Sequence, residues 1–351
     1  MDLEQIRYVK MILRELFYFR KLINKYGNSL LPGQYYLFPD MRAIAADRPE
    51  TIERANAYFA KKRPSSKLTR LIGKLNQVGF YCNKNRNSEG VYEAVYSANN
   101  YDKIREIKLF SFQKQQILTI CTSEVACEAQ LEEYARWHKW FAMPPVTAQQ
   151  QYDHAYIIAM VNLLPRPAET EALEHIAQCI CNYSKDNPES VKKAPAQQLA
   201  RFSYSEEMND LLNALAKKIS PEVMALDIPL CLQHGDLSRD NLIYGICDSQ
   251  TGFWWIDWEH AKQRPFFYDY FFYILNTAVY FSDFEGLQAY LSGCCDCHLE
   301  ALFSQLGMPY DPAFRKDYFL LFAIVFLKER VCDPGNQAAL AMYVDFFNKH
   351  L

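Results

Sequence analysis

The sequence predicts an α+β protein with a β-rich N-terminal lobe and a mostly helical C-terminal lobe. The length of 351 residues allows about two domains, at roughly 150 residues for each. Between residues 68 and 121, short runs rich in β-branched and aromatic residues alternate with turn clusters, which is typical of strands. From residue 265 onward nearly every segment has helical spacing. Half of the residues are apolar and 23% are charged, which excludes a disordered chain.

Three segments follow from these patterns. We expect a helical N-terminal extension over 1–66, a β-rich N-terminal lobe over 67–161 and a mostly helical C-terminal lobe over 162–351. Within the first two segments, the elements expected are helices over 1–30 and 48–62, strands over 79–82, 90–97, 104–112 and 116–121, and a helix over 123–141 with Ser123 as its N-cap.

Composition and charge exclude several classes of protein. The net charge of −3 gives no electrostatic case for binding nucleic acid. The 11 cysteines are odd in number, and the first residues, Met1–Glu4, carry acids where a secretory signal carries bases. We therefore expect reduced thiols and a cytoplasmic location. The longest apolar runs fall short of the ~20 residues that span a bilayer.

Residues 1–25 form a basic amphipathic pattern. Apolar residues recur at helical spacing with lysines and arginines between them. Such a helix can lie on the inner, anionic face of a membrane, which would make the protein peripheral to it. The alternative is a helix that packs on the N-terminal lobe, since ordinary surface helices show the same pattern.

The segment 232–259 contains the residues with the clearest chemistry. Asp236 follows a predicted strand, Asn241 comes five residues later at the start of the next strand, and Asp257 ends a third strand 16 residues beyond Asn241. Two antiparallel strands would bring Asn241 and Asp257 close together. Their oxygens suit Mg²⁺, which uses few protein carboxylates and keeps positions for phosphate and water. Phosphoryl transfer needs metal ligands and an aspartate that accepts a hydroxyl proton.

These residues resemble two motifs of the aminoglycoside phosphotransferase and choline kinase family, which has a bilobal protein-kinase-like fold. The first motif, His-Gly-Asp-x-x-x-x-Asn, is matched by HGDLSRDN, and the second, hydrophobic-Asp-aromatic-Glu, by IDWE. A further family feature is an aspartate that opens a helix downstream. The matching residues are His234, Gly235, Asp236, Asn241, Ile256, Asp257, Trp258, Glu259 and Asp269.

The resemblance implies an enzyme that uses ATP and Mg²⁺, with the nucleotide bound by the lobe over 67–161 and with catalysis and acceptor binding in the lobe over 162–351. It implies Asp236 as the catalytic base, Asn241 and Asp257 as Mg²⁺ ligands, Asp269 in a structural role and Glu259 on the acceptor side. The acceptor would be a hydroxyl of a small molecule or glycoconjugate, such as a sugar, a saccharide precursor or an amino alcohol. Only eleven residues separate Asp257 from Asp269, too few for the activation segment of a protein kinase.

The N-terminal lobe departs from the family pattern, because no lysine for the α- and β-phosphates is unambiguous. In one register 83–90 is the phosphate loop and 104–112 is the strand before the helix, so that Lys108 is the lysine and Glu124 or Glu128 its partner. In the other, 104–112 and 116–121 form a hairpin and the strand before the helix has no lysine. We predict Lys108 and Glu128.

The apolar strand over 156–162 resembles the linker that holds adenine in this fold, so backbone groups from Met160 to Asn162 are expected to contact the base.

The alternative to an enzyme is a pseudokinase that binds nucleotide or a partner. The full set of Asp236, Asn241 and Asp257 favours the enzyme.

Overall fold

The structure is a computed structural model that describes residues 18–38, 43–59, 81–84, 89–100, 103–150, 154–202, 206–331 and 337–350. The chain divides into two compact units. The first consists of Met1–Glu132, Pro144–Leu163 and Ile246–Gln250, and the second of Glu133–Met143, Leu164–Gly245 and Thr251–Leu351. Strands dominate the N-terminal part and helices the C-terminal part, which confirms the predicted α+β class.

The first unit is built on an eight-stranded sheet. Every described strand pair in it is antiparallel, and the strand order is β3-β1-β2-β4-β5-β6-β8-β7. The strands are β1 (Gly33–Phe38), β2 (Ala43–Ala46), β3 (Tyr81–Asn83), β4 (Ala94–Asn100), β5 (Lys103–Ser111), β6 (Gln116–Cys121), β7 (Val146–Gln150) and β8 (Ala155–Ala159). Its helices are α1 (18–26 of the described residues), α2 (Pro49–Phe59) and α3 (Glu124–Trp137), whose last residues belong to the second unit.

Strands β5 and β6 form the hairpin of the second predicted register. Lys108 pairs with Thr119 across the two strands, and Gln115 in the turn has a positive φ of 53°. Strand β6 leads directly into α3, where the Ser123 hydroxyl accepts a hydrogen bond of 3.2 Å from the Ala126 N–H, as predicted for an N-cap. The strand before the helix therefore has Thr119 at the position beside Lys108.

The N-terminal extension contains strands as well as helices. Sequence patterns predict helices over 1–30 and 48–62 and no strand between them, whereas β1 and β2 add to the sheet there, and all four residues of β2 are buried. The Ala-rich segment of β2 has high helix propensity, but pairing on both edges and full burial override propensity.

Helix α1 packs on the sheet through buried apolar residues that include Phe19, Leu22 and Ile23. The described part of the basic amphipathic pattern is thus a packed helix. The remainder, residues 1–17, lies outside the described residues. Where the chain is described, we find no helix with the length and apolar character that crossing a bilayer requires.

The second unit is mostly helical and has a large aromatic core. Helix α8 (Tyr268–Phe281) is buried from Tyr268 to Ala278, and α11 (Arg315–Val331) from Tyr318 to Leu327, so the two longest apolar runs of the sequence, 270–281 and 318–327, lie in core helices, as their length predicts. Helical spacing in the sequence also predicts one helix over 197–219, whereas the structure has two separate helices there, Ala196–Leu199 and Glu206–Ala216. The other helices are α4 (Glu169–Asp186), α5 (Ala196–Leu199), α6 (Glu206–Ala216), α7 (Pro221–Met224), α9 (Glu285–Ser292), α10 (Asp296–Gln305) and α12 (Gln337–His350).

Small β elements position the candidate site. Strand β11 (Asp227–Gln233) pairs with β10 (Lys192–Pro195) and with β14 (Lys262–Pro265), while β12 (Leu242–Cys247) pairs with β13 (Gln250–Trp255). A two-residue strand, β9, covers Asn162–Leu163. Asp248 and Ser249 join β12 to β13 with φ values of 48° and 65°, the sign that a type I′ hairpin turn requires. The loops after β11 and after β13 contain the motif residues.

We predict that His175 contributes to acid sensitivity of the fold. The Trp255 indole N–H donates to His175 Nε2 at 3.1 Å, and burial lowers the pKa of this histidine to about 4 from 6.5. Between those pH values the unfolded chain binds a proton that the folded chain does not, so the free energy of unfolding falls as pH falls. The expected slope for one proton is about 1.4 kcal/mol per pH unit.

The change to test is His175→Gln, which keeps an acceptor for Trp255 and removes the titration. Urea unfolding at pH 7, 6 and 5 measures the slope, and we expect a shallower slope in the variant. Equal slopes in the two proteins would contradict the prediction.

Candidate functional site

The loop after β11 is held by the carboxylate of Asp269 in the first turn of α8. Oδ1 accepts the Gly235 N–H at 2.8 Å and Oδ2 accepts the His234 N–H at 2.5 Å. In return, the Asp269 N–H donates to Gln233 Oε1 at 2.9 Å. All these groups are buried. The contacts fix the backbone of the loop against the helix, which is the structural role that the resemblance implies for Asp269.

Gly235 occupies a position that only glycine fits. Its φ is +85°, in the left-handed region, and a Cβ there would lie 2.2 Å from Nη1 of Arg264. The Arg264 guanidinium is itself fixed by Glu329 and by the carbonyl of His260. The glycine therefore allows the loop to turn directly over a buried arginine.

His234 connects the two motif loops. Its Nε2–H donates to the Ile256 carbonyl at 2.8 Å, and its Nδ1 accepts the Asp236 N–H at 3.3 Å. Both contacts need the neutral ring protonated on Nε2, and burial lowers the pKa of His234 to about 4. His234 thus orients Asp236 through the backbone, and its ring lies between the loops.

Asp236, Asn241 and Asp257 lie together in the second unit. Asn241 Nδ2 donates to the Asp236 carbonyl at 2.8 Å and is 3.4 Å from Asp236 Oδ2. The Ile256 N–H donates to the Asn241 carbonyl at 3.0 Å, which brings Asp257 next to Asn241. The predicted proximity of the two strand ends is therefore confirmed. Asp257 is exposed and has a positive φ of 67°.

The donor atoms at this point suit a magnesium ion. Because the amide nitrogen of Asn241 is used by Asp236, its oxygen is the atom able to bind a cation. One amide oxygen and the carboxylate of Asp257 match the one or two protein ligands that Mg²⁺ uses beside phosphate. In the part of the chain that the structure describes, no cluster of three or more His, Cys, Asp or Glu could hold a metal.

Arg330 is a site residue that the sequence motifs do not reveal. Its Nη2 donates to Asp236 Oδ1 at 2.9 Å, from the last turn of α11. It lies 94 residues after Asp236, and no motif links the two positions.

Glu259, expected on the acceptor side, is exposed, and its Oε1 lies 3.3 Å from His260 Nε2. The hydrogen bond that His260 donates to Glu259 raises the pKa of His260.

The first unit has a separate polar cluster around Lys108. Nζ of Lys108 is 2.7 Å from Glu106 Oε1, and Gln130 of α3 donates to Glu106 Oε2 at 3.1 Å. The Tyr156 hydroxyl donates to Gln130 Oε1 at 2.9 Å. The sequence predicts Glu128 as the partner of Lys108, whereas the structure pairs this lysine with Glu106.

The difference has a helical reason. Glu128 and Gln130 are two residues apart, so they lie on different sides of α3. Gln130 faces the cluster, and Glu128 is exposed, as is Glu124. The helix therefore contributes an amide to the cluster, and the carboxylate comes from the same strand as the lysine.

The segment expected to hold adenine is engaged within the first unit. The Met160 N–H donates to the Gln115 carbonyl at 2.8 Å, and the Val161 carbonyl accepts the Tyr58 hydroxyl of α2. Met160 is buried, and Asn162 begins β9. Contact of Met160 and Asn162 with a nucleotide base stays a prediction, and it requires that the base share this backbone with Tyr58 or displace it.

Comparisons with known proteins give structural likenesses only. No protein-family model matches the chain, and no curated protein matches its sequence. One similar solved structure is the GDP complex of aminoglycoside 2′-phosphotransferase-IIIa, 14% identical over 81% of this chain and 99% of that one, with a TM-score of 0.44. Choline kinase LicA from Streptococcus pneumoniae is 12% identical over 73% of this chain and 94% of that one, with a TM-score of 0.40.

A choline/ethanolamine kinase family protein from Mesorhizobium loti is also similar. It is 12% identical over 74% of this chain and 87% of that one, with a TM-score of 0.40. These proteins are of the kinds that the two sequence motifs resemble.

We predict that Asp269→Asn destabilises the fold and lowers turnover together. An asparagine has one acceptor oxygen, so one of the two buried N–H groups in the loop loses its acceptor. We expect a loss of about 1–3 kcal/mol in the free energy of unfolding. Asp296→Asn is the matched control, because Asp296 pairs with Arg315 elsewhere and should affect stability without affecting kcat. Wild-type kcat and stability in Asp269→Asn would refute this role.

We predict that Lys108→Ala weakens ATP binding while the fold is retained. A charge-assisted hydrogen bond contributes about 1.5–3 kcal/mol, so we expect at least roughly tenfold weaker affinity. Lys114→Ala, in the β5–β6 turn, is the matched control. Calorimetry with ATP and Mg²⁺ measures both variants. If Lys108→Ala binds ATP with unchanged affinity, another group contacts the phosphates.

Proposed function

We propose that the chain is an ATP- and Mg²⁺-dependent phosphotransferase that moves the γ-phosphoryl group to a hydroxyl of a small molecule or glycoconjugate. One observation supports this most directly. A buried carboxylate, Asp269, fixes the loop that presents Asp236 beside Asn241 and Asp257. Asp236 is the base, and Asn241 and Asp257 are the two metal ligands, that phosphoryl transfer uses.

Each residue has a distinct role in the proposal. Asp236 is half-buried, and its backbone is fixed by His234 and Asn241, so its carboxylate can accept the proton of an acceptor hydroxyl. Asn241 and Asp257 hold the ion. When bound, Mg²⁺ neutralises charge on the phosphate oxygens. Lys108, held by Glu106, is the candidate cation of the first unit for the nucleotide phosphates.

A pseudokinase is the alternative function. A module that only binds nucleotide has use for the metal ligands but none for a positioned base. The precise placement of Asp236 therefore favours catalysis. The test is Mg²⁺-dependent ATP turnover with a panel of acceptors that covers choline, ethanolamine, simple sugars and saccharide precursors. Nucleotide binding without turnover of any acceptor would favour the pseudokinase.

We predict that Asp236→Asn separates binding from catalysis. Asparagine keeps the shape and an oxygen that can accept from Arg330, but it cannot take a proton. General-base catalysis contributes about 10²–10⁴ in rate, so kcat should fall by that range with little change in ATP affinity. Steady-state kinetics and calorimetry on the same preparation measure the two quantities. A variant with wild-type kcat would exclude Asp236 as the base.

We predict that Asp257→Ala abolishes Mg²⁺-dependent ATP binding. The carboxylate is the only acidic ligand in the proposed ion site, so its loss removes the charge that holds the ion. Asp227→Ala, at the exposed start of β11, is the control for loss of a surface carboxylate. Calorimetry with ATP is done with and without Mg²⁺. If ATP binding by Asp257→Ala still depends on Mg²⁺, the ion is bound by other residues.

A further inference from the structure

We propose that the acceptor carries an anionic group, a phosphate or a carboxylate, and that Arg330 binds this group beside Asp236. The inference rests on the proposed function, because Asp236 marks where the acceptor hydroxyl lies. It goes further by assigning the charge of the acceptor, which neither sequence motif specifies.

Arg330 is placed directly at the proposed base. Its Nη2 donates to Asp236 Oδ1 at 2.9 Å, and the side chain is only 19% exposed. An acceptor whose hydroxyl reaches the Asp236 carboxylate would therefore have the guanidinium close by. Such an acceptor would meet the positive charge of Arg330 as well as the negative charge of Asp236.

Two aromatic rings fix the guanidinium in place. Its Cζ lies 5.5 Å from the ring centre of Phe272 on α8 and 5.5 Å from that of Phe326 on α11. Both rings are buried. Stacking of this kind holds the plane of an arginine without using its N–H donors. Little conformational entropy remains to be lost when a ligand binds to it.

The described residues engage only a small part of the hydrogen-bonding capacity of Arg330. A guanidinium has five N–H donors, and the bond from Nη2 to Asp236 is the one that the described residues provide. The remaining donors form a planar fork, which matches the two oxygens of a carboxylate or phosphate. A rigid guanidinium with most of its donors unengaged by the described residues, next to a base, is suited to an anionic group on the bound molecule.

The neighbouring charges support an anion rather than a cation. Arg264 and Lys262 share the carboxylate of Glu329, and His260 pairs with Glu259. Arg330 has Asp236 as its only carboxylate among the described residues, and the acceptor hydroxyl would share that carboxylate during the reaction. An anionic group on the acceptor would then balance Arg330, whereas a cationic acceptor would be repelled by it.

The test compares sugars that differ mainly in charge: glucosamine, glucose, glucuronate and glucose 6-phosphate. Values of kcat/KM with ATP and Mg²⁺ are measured for the wild type, Arg330→Met, Arg330→Lys and the exposed control Arg201→Ala. Methionine keeps an apolar stem against the two rings and removes the charge. Circular dichroism verifies that each variant is folded.

We expect the wild type to prefer an anionic sugar over glucose by at least tenfold. Arg330→Met should lose this preference, Arg330→Lys should keep part of it, and Arg201→Ala all of it. Equal or better use of glucose or glucosamine by the wild type would overturn the proposal and leave the phosphotransferase function standing. An equal loss for all sugars in Arg330→Met would also overturn it, because Arg330 would then act on the transferred phosphoryl group.

A binding measurement separates this inference from the proposed function. Inorganic phosphate is titrated at constant ionic strength into each protein with Mg²⁺ and AMP-PNP bound, and the shift in Tm gives its affinity. At least tenfold weaker binding to Arg330→Met than to the wild type and to Arg201→Ala supports the anion site even if no sugar is phosphorylated. Equal binding to Arg330→Met, or none to the wild type, overturns it.

Discussion

The candidate site depends on one interaction, the buried carboxylate of Asp269 with two backbone N–H groups of the motif loop. Without it, the N–H groups of His234 and Gly235 would be buried and unsatisfied, at about 1–3 kcal/mol each. The position in the first turn of α8 helps, since a negative charge is favoured at a helix N-terminus. Burial nevertheless raises the pKa of Asp269 to about 6, against the lowering by the two amides. The loop is thus held by a charge that is costly to bury, so substitutions there should be poorly tolerated.

Much of the site in the second unit could be predicted from the sequence, because its motif residues lie close together along the chain. Asn241 and Asp257 are the ends of one hairpin, so strand pattern and turn residues suffice to bring them together. Arg330 could not be found in this way, because only the packing of α11 against α8 brings it to Asp236. In the first unit, β1 and β2 were missed because pairing on both edges overrides the helix propensity of an Ala-rich segment.

Lys108 shows where the register chosen from the sequence was wrong, because its strand does not lead directly into α3. The hairpin of β5 and β6 places Lys108 beside Thr119 rather than on the strand that enters α3. Its carboxylate partner comes from the same strand, and α3 contributes Gln130. A lysine and a glutamate two residues apart on a strand face the same side, a local pattern that could have been read from the sequence. The contribution of Gln130 depends on how α3 packs and could not.

The central claim is that Asn241 and Asp257 hold Mg²⁺ while Asp236 stays free to meet the acceptor. A crystal structure with Mg²⁺ and AMP-PNP tests it most directly. We expect the ion within about 2.0–2.1 Å of an oxygen of Asn241 and of Asp257, with the remaining positions taken by phosphate and water, and with Asp236 outside the coordination sphere. An ion bound by Asp236, or a nucleotide bound with its metal away from Asn241 and Asp257, would contradict the account.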